Sequence, residues 1–378
     1  ATHLPPAPGP DGGRRYVTPR RYLDDKLALI KRLHNDYGDV FAFRIGFVKV
    51  HVVNHPDYVQ RLLVREHKNV HKSLVIKASE LLLGRGLLTS EGEYHARQRR
   101  LISPAFHKRR IAQYADVMAR QAGHLREAWQ PGREVDMAIE MNRLTLGIIG
   151  ETMFGADVAG EAEGVHQCLG DIFAMVPRII SPIDGLAKSV LPLPSNLRFL
   201  RARRRLNQIV YGMIRQRQAT GPTDDVLSML LEARDTEGDG TGMNLRQVRD
   251  EVLILFLAGH ETTANALTWT WYLLSQHPGV AARLHAEIDR TLGDRLPTMA
   301  DVPQLTYTRQ VLEESLRIFP PAYIVDRMLL TDMEFGGYHL PKGATVFSSP
   351  RLMHHDARWY PDPERFDPER FAPGMAET

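Results

Sequence analysis

Apolar residues recur every three or four positions over most of this chain, which is the spacing of amphipathic helices. The pattern predicts four helices, at residues 110–129, 197–217, 245–277 and 307–319. Two regions show the alternation typical of strands instead: Val40–Val53, broken at Gly46, and Met333–Ser348, turning at Pro341–Gly343. The sequence therefore predicts a mainly α fold with a minor β portion.

The longest of these helices has a centre that packing alone does not explain. Asn244 and Gln247 have the spacing of a capping box at its start, and Pro278 follows its end. Its middle carries the run Ala258-Gly259-His260-Glu261-Thr262-Thr263. A glycine inside a helix costs about 1 kcal/mol relative to alanine, and a buried, unpaired carboxylate costs more. Such a local departure from helix-forming rules indicates a functional site.

Two interpretations of this centre stay open on the helix alone. Ala258 and Thr262 lie four residues apart on one face, so a flat ligand has room beside them while Glu261 and Thr262 relay protons to it. Alternatively, this is a core helix in which Glu261 is paired and the Thr262 hydroxyl bonds to its own backbone.

Two further motifs follow downstream. Glu314 and Arg317 lie three residues apart in the last predicted helix, a spacing that usually means a solvated pair worth about 0.2–0.5 kcal/mol. The segment Phe366–Phe371 carries Arg370 in a turn flanked by aromatic residues. Together with the central helix and in this order, these motifs resemble the cytochrome P-450 family of haem-thiolate monooxygenases. The resemblance covers nearly the whole chain from about Tyr37 onward.

The resemblance implies roles for residues of all three motifs. Glu261 and Thr262 match the acid–alcohol pair that delivers protons during oxygen activation. Ala258 and Gly259 match the groove in which O2 binds beside the haem. Three residues match a buried charge triad on the side that supports the haem: Glu314, Arg317 and Arg370.

Other positions match residues that bind the haem carboxylates. In the segment 92–101 these are His95, where many relatives carry tryptophan, and Arg99. Arg97 and Arg100 of the same segment are interpreted as a solvated basic face. A further haem-carboxylate partner is implied at Arg327. The resemblance places three residues in the substrate pocket: Ala258, Ile324 and Val325.

The activity implied by the resemblance is the insertion of one oxygen atom from O2 into an apolar small molecule. The cofactor would be haem b, and a separate ferredoxin or flavodoxin-type protein would supply electrons, because no flavin or nicotinamide site is evident. The segments 72–89 and 176–194 have the loop-rich pattern of the pocket roof in this family, and they are rich in leucine and isoleucine.

The iron ligand is not found in these motifs. Relatives carry an axial cysteine in a loop after the segment that matches Phe366–Phe371, so the resemblance implies this cysteine, and a carboxy-terminal part of the fold, beyond Thr378. We expect no metal ligand within residues 1–378. The single cysteine, Cys168, is interpreted as a small buried hydrophobe. The alternative function is a haem-free or degenerate ligand-binding relative that lacks the thiolate.

Composition is compatible with a large enzyme. The chain is 43% hydrophobic and 25% charged, with no low-complexity linker, so residues 1–378 are predicted to form a single domain. The resemblance implies that it is a haem-monooxygenase domain, incomplete at the carboxy terminus. One cysteine excludes a disulfide framework and favours the cytoplasm. The proline-rich start, Leu4–Pro10, has no apolar run, which favours the soluble bacterial type without a membrane anchor. A net charge of +3 without interleaved aromatics does not indicate nucleic-acid binding.

Overall fold

A computed structural model of the chain describes residues 4–10, 16–17, 25–45, 48–155, 164, 167–168, 170–171 and 194–375. The mainly α composition with a minor β portion is confirmed. The chain divides into two compact units that interleave in sequence. The β unit comprises Ala1–Leu82, Ile172–Phe199 and Ala322–Pro363, and the helical unit comprises Leu83–Asp171, Leu200–Pro321 and Glu364–Thr378. The single domain over residues 1–378 stays a prediction.

The β unit contains a six-stranded mixed sheet and a separate two-stranded sheet. The strands are β1 (Tyr16–Val17), β2 (Val40–Ile45), β3 (Val48–Val53), β4 (Val70–His71), β5 (Val325–Leu329), β6 (Met333–Phe335), β7 (Tyr338–Leu340) and β8 (Thr345–Ser348). The large sheet has the order β1-β2-β3-β8-β5-β4, and β6 pairs with β7. β2 and β3 lie in the first predicted β region and form an antiparallel hairpin, with Val40 opposite Val53 and Phe43 opposite Val50.

The second predicted β region is confirmed as β structure and turns at Pro341–Gly343 as predicted, where the Ala344 N–H donates to the Pro341 carbonyl at 3.0 Å. A further turn joins β6 to β7. Gly336 and Gly337 join β6 to β7 with φ angles of +58° and +79°, a conformation that favours glycine. Pro341–Gly343 leads into β8, which pairs with β3 and β5 in the large sheet.

Side chains of the hairpin alternate between the two faces of the sheet, because successive strand residues point to opposite sides. One face holds Phe41, Phe43, Val50 and Val52, which pack with residues of α1 (Lys26–Tyr37). The other face holds Val40, Ala42 and Val53, which pack with residues of β6 and β7. Two further short helices of this unit are α2 (Pro56–Gln60) and, near the end of the chain, α12 (Pro350–His354).

The described helices between α2 and α12 are α3 (Leu74–Leu83), α4 (Gly92–Ile102), α5 (Lys108–Ala128), α6 (Met137–Phe154), α7 (Pro194–Thr220), α8 (Val226–Glu232), α9 (Leu245–Gln276), α10 (Pro278–Leu292) and α11 (Thr306–Ile318). The four predicted helices correspond to α5, α7, α9 and α11, each within three residues at either end. The predicted roof segment 72–89 contains α3, whereas residues 176–193 lie outside the described residues.

The longest helix, α9, starts where the sequence predicts. The Asn244 side chain accepts from the Gln247 backbone N–H at 2.9 Å, and the Gln247 side chain accepts from the Asn244 backbone N–H at 2.8 Å. This reciprocal cap satisfies two N–H groups that the helix itself leaves without partners. Across the described part of the chain, no helix has both the length and the apolar character needed to cross a lipid bilayer.

Candidate active site

The centre of α9 has an open face next to completely buried residues. His260 and Ala264 are completely buried, whereas Ala258 and Thr262 are exposed and Glu261 is half-buried. Ala258 and Thr262 lie one turn apart on the same face. The structure therefore presents a strip of small side chains, which we call the α9 strip (Ala258 and Thr262), with a carboxylate on the adjoining face.

The Thr262 hydroxyl donates to the carbonyl oxygen of Ala258 at 2.5 Å. The helix continues without interruption from Leu245 to Gln276. This is the backbone bond that the core-helix interpretation expected. This bond uses the single hydroxyl proton of Thr262, and the lone pairs of Oγ1 can still accept a hydrogen bond from a donor on the exposed side.

Gly259 makes room for a neighbouring helix. A Cβ atom at this position would lie 2.4 Å from Cδ1 and 3.2 Å from Cγ1 of Ile149 in α6. The groove expected at Ala258 and Gly259 is thus filled by Ile149 on the Gly259 side, and the open surface lies at the α9 strip. Ile149 fills this side because Gly259 has no side chain, which allows α6 and α9 to approach closely.

Two arginines of α4 bind the polar loop that precedes α9. Arg100 donates from Nε and Nη2 to the Asp235 carboxylate at 3.0 and 2.8 Å, and Arg97 Nη2 donates to the Thr241 carbonyl at 3.1 Å. The Arg100 guanidinium also holds the pKa of Asp235 below its usual range. Arg100 is exposed, as the interpretation of a solvated basic face expects, whereas Arg97 is half-buried. Both side chains lie against the buried Asp235 carboxylate.

Arg99 differs from these two arginines. It is exposed, on the same face of α4 as His95 one turn earlier. Among the described residues, its guanidinium has no hydrogen-bond or ion-pair partner. A guanidinium in this position is available to bind the carboxylate of a ligand through two parallel hydrogen bonds. His95 is half-buried.

Glu314 lies between two arginines at the buried end of α11. Arg317 donates to both Glu314 carboxylate oxygens, at 2.6 and 2.9 Å, and Arg370 Nε lies 3.4 Å from Oε1. The backbone N–H of Asp367 also donates to Oε1, at 2.8 Å. Glu314 and Arg317 are almost completely buried, unlike the solvated pair that their spacing usually means. The structure thus brings together the three residues of the predicted charge triad.

The remaining predicted site residues belong to the β unit. Ile324, Val325 and Arg327 are half-buried, the last two on β5. Arg327 Nη1 donates to the neighbouring Asp326 carbonyl at 2.7 Å. Burial raises the pKa of Asp326, whose carboxylate accepts from the Ser73 hydroxyl at 2.7 Å.

Two buried carboxylates near the start of α9 were not predicted from the sequence. Asp250 accepts from the Arg85 backbone N–H at 2.8 Å, and Glu251 accepts from the Leu87 backbone N–H at 2.9 Å. The available signal was three consecutive charged residues, 249–251, directly before the apolar run of a helix. In the described part of the chain, no group of three or more His, Cys, Asp or Glu side chains is arranged to hold a metal ion, and Cys168 is buried.

Comparison with known proteins identifies this architecture. The family model described as Cytochrome P450 matches residues 18–377. The chain belongs to the cytochrome P450 family. This confirms the resemblance that the three motifs carry. As a P450, the chain is a monooxygenase whose cofactor is haem b.

Curated relatives and a solved structure agree with this assignment. A "Cyclooctatin synthase" from Streptomyces melanosporofaciens is 42% identical over 345 residues, covering 90% of this P450 and 74% of that protein. A "Cyclooctat-9-en-7-ol 5-monooxygenase" from the same organism is 39% identical, covering 89% and 73%. The structure titled "Retinoic acid bound cyanobacterial CYP120A1" superposes with a TM-score of 0.85 at 27% identity, covering 100% of this chain and 85% of that chain.

Two observations fit haem b to the residues present in the helical unit. The α9 strip is an open surface of small side chains, which suits the face of a planar macrocycle. Arg99 is a cation without an internal partner, which suits the cofactor's carboxylates. Both features lie in segments that the sequence analysis selected for this cofactor.

Proposed function

We propose that this P450 inserts one oxygen atom from O2 into an apolar small molecule, with electrons supplied by a separate ferredoxin or flavodoxin-type protein in the cytoplasm. The observation that carries the proposal is the exposed α9 strip with the half-buried Glu261 beside it, on a helix that buries His260 and Ala264 completely. The bound haem supplies the redox chemistry with O2. The protein's own contribution is the positioning and delivery of protons.

Glu261 and Thr262 are the proton-delivering pair in this proposal. The Thr262 hydroxyl is held toward the helix axis by its bond to the Ala258 carbonyl, so Oγ1 has a fixed position on the exposed face. There Oγ1 accepts a hydrogen bond from an incoming donor and passes its own proton outward when the backbone bond is released. Glu261, on the adjoining face, is the acid that replenishes this proton.

The remaining site residues hold the cofactor and the substrate. His95, Arg99 and Arg327 bind the haem carboxylates, with Arg99 supported most directly because its guanidinium has no partner among the described residues. The triad Glu314, Arg317 and Arg370 connects the end of α11 to the turn at Pro368–Phe371. Three residues line the substrate pocket: Ala258, Ile324 and Val325.

The names of the relatives suggest which apolar molecules to test. One relative is named as an oxygenase of cyclooctat-9-en-7-ol, and a "Pentalenene oxygenase" from Streptomyces avermitilis is 32% identical over 89% of this chain. We propose a substrate of this apolar kind. Either compound serves as a probe if it perturbs the haem spectrum of the natural full-length protein.

Thr262→Ala tests the proton-delivery role. We expect product formed per electron pair consumed to fall about tenfold or more, with hydrogen peroxide released instead, because misdirected protons let reduced oxygen escape. Haem content and probe binding should stay unchanged. The measurement is product, peroxide and nicotinamide consumption in one reaction with a ferredoxin donor system.

Thr268→Ala is the matched control. Thr268 lies in the same helix and makes the same bond to the carbonyl four residues earlier, at 2.8 Å to Ala264. Its replacement removes an equivalent hydroxyl outside the α9 strip and should leave coupling unchanged. Equal coupling in wild type and Thr262→Ala, or equal losses in both variants, contradicts the assigned role.

A further inference from the structure

The loop between α3 and α4, residues 84–90, lies against the first turns of α9. Gly84 has a φ of +83°, and a Cβ atom there would lie 2.1 Å from Cγ of Asp250. A Cβ atom at Gly86 would lie 2.7 Å from Cδ1 of Ile254 and 2.9 Å from Oε2 of Glu251. Both glycines therefore allow the loop backbone to approach α9 at the two carboxylates.

The two carboxylates bind this loop through its backbone. Asp250 Oδ2 accepts from the Arg85 N–H at 2.8 Å, and its Oδ1 accepts from Arg249 Nη1 at 2.7 Å. Glu251 Oε2 accepts from the Leu87 N–H at 2.9 Å. The charge of Asp250 is thus balanced by its neighbour Arg249, and its other bond is to the loop.

Glu251 additionally reaches α4. Its Oε1 accepts from Gln98 Nε2 at 3.0 Å, and both side chains are completely buried. A second bridge lies beside it, where Gln247 Nε2 donates to the Tyr94 hydroxyl at 3.2 Å. A single carboxylate therefore connects three elements: the loop, α4 and α9.

The position of Glu251 relates these contacts to the active site. It precedes Ala258 by two helical turns and Thr262 by three, so all three share one face of α9. Its partner Gln98 is the immediate neighbour of Arg99 on α4. The carboxylate thus joins the helix that carries the α9 strip to the helix that carries Arg99.

We propose that Glu251 is a positioning residue that sets the distance between α4, which carries His95 and Arg99, and the α9 strip. The proposal rests on the proposed function of His95, Arg99 and Thr262. Glu251 touches neither substrate nor cofactor in it. Its effect is carried by Gln98 and by the Leu87 N–H, which both lose the carboxylate as an acceptor when it is removed. Gln98 Nε2 then keeps only its longer bond to the Tyr94 hydroxyl, at 3.4 Å.

The chemistry of the contact predicts which replacements are tolerated. Leucine at position 251 fills a similar volume but removes the acceptor of the Leu87 N–H and the shorter of the two hydrogen bonds of Gln98 Nε2. Glutamine still accepts from the Leu87 N–H. Its amide also donates to Gln98 once the Gln98 side chain turns over, because no donor among the described residues occupies Gln98 Oε1. Glu251→Gln is therefore the conservative variant expected to restore the connection.

The test compares Glu251→Leu and Glu251→Gln with a control carboxylate. Glu287 in α10 is also buried and accepts backbone N–H groups of Tyr307 and Thr308, at 2.7 and 2.8 Å. Glu287→Leu therefore removes a comparable buried acceptor at the start of α11. The first measurement is amide hydrogen exchange at Leu87 in the haem-free protein, and the second is haem affinity and coupling in the natural full-length protein.

We expect Glu251→Leu to speed exchange at Leu87 roughly tenfold or more and to weaken haem binding and coupling together. Glu251→Gln should stay within about threefold of wild type in all measurements. Glu287→Leu should lower the unfolding temperature without changing exchange at Leu87 or coupling below that temperature. The three variants together distinguish a positioning role of Glu251 from a general effect on protein stability.

Three outcomes overturn the proposal: unchanged exchange in Glu251→Leu, faster exchange with unchanged haem affinity and coupling, or equal coupling losses in Glu287→Leu. Failure of the proposed function is a different result. In that case wild type itself binds no haem or forms no product, while the exchange measurement still reports on the Glu251 contacts.

Discussion

His51 is a buried ionisable residue in the middle of the large sheet. It is 2% exposed, on β3 opposite Ala42, and burial together with the nearby Lys49 and His339 lowers its pKa to about 4. In the unfolded chain the imidazole returns to an ordinary pKa of about 6.5. The folded protein therefore holds His51 neutral at pH values where the unfolded chain protonates it.

This difference predicts acid sensitivity. Above about pH 6.5, His51 is neutral in both the folded and the unfolded state, and its contribution to the free energy of unfolding is fully present. This contribution is lost as the pH falls from about 6.5 toward 4, because only the unfolded state takes up the proton. Between about pH 7 and pH 5 we expect His51 to reduce the free energy of unfolding by about 2 kcal/mol. Urea unfolding of wild type and His51→Val at both pH values measures it. Parallel pH dependences in the two proteins contradict the assignment.

Adjacent arginines show what residue type alone does not reveal. Arg97, Arg99 and Arg100 belong to one basic run, yet two of them bind the Asp235 loop and one faces outward without a partner among the described residues. Arg100 and Asp235 are 135 residues apart in sequence. The helical period places Arg97 and Arg100 on one face and His95 and Arg99 on another, but the acceptor that the first pair meets depends on tertiary structure.

At the scale of elements, local signals located the helices well. The capping box at Asn244 and Gln247 and the proline after the helix set the limits of α9 to within a residue, because these signals act within one turn. The turn at Pro341–Gly343 was predicted correctly, whereas the turn between β6 and β7 was not predicted. Gly336 and Gly337 carry the positive φ values of the hairpin, and a proline–glycine pair is an equally good turn signal in sequence.

The packing of α6 on α9 gives a prediction of its own. Gly259→Ala should destabilise the protein by about 1–3 kcal/mol, because its methyl group would lie 2.4 Å from Cδ1 of Ile149 and force the helices or that side chain to shift. Ile149→Val removes that methyl carbon. We expect the double variant Gly259→Ala/Ile149→Val to recover part of the loss, as measured by denaturant unfolding.

A matched helical glycine provides the control for this prediction. Gly279 lies in α10, where an added Cβ atom meets nothing within 4 Å. Gly279→Ala should be neutral or stabilising, since alanine is the better helix former. Equal effects at Gly259 and Gly279, or no rescue by Ile149→Val, would show that α6 and α9 are not in close contact at this glycine.

At the scale of the whole molecule, the fold class and the family followed from the sequence because they rest on periodicity and on motifs in a specific order. The connections between motifs did not follow. Gln98 and Glu251 are 153 residues apart, and nothing in either segment alone specifies that one accepts a hydrogen bond from the other. The buried state of Glu314 and Arg317 likewise depends on the turn around Asp367, more than 50 residues later.

The central claim is that this chain is a haem monooxygenase whose α9 strip lies beside the cofactor. The most direct measurement is the visible spectrum of the natural full-length protein, reduced and exposed to carbon monoxide. The account predicts a Soret band shifted to the longer wavelength of a haem-thiolate. A protein that shows no Soret absorption and takes up no added haem would contradict it and favour a haem-free ligand carrier. An unshifted band would contradict the thiolate chemistry.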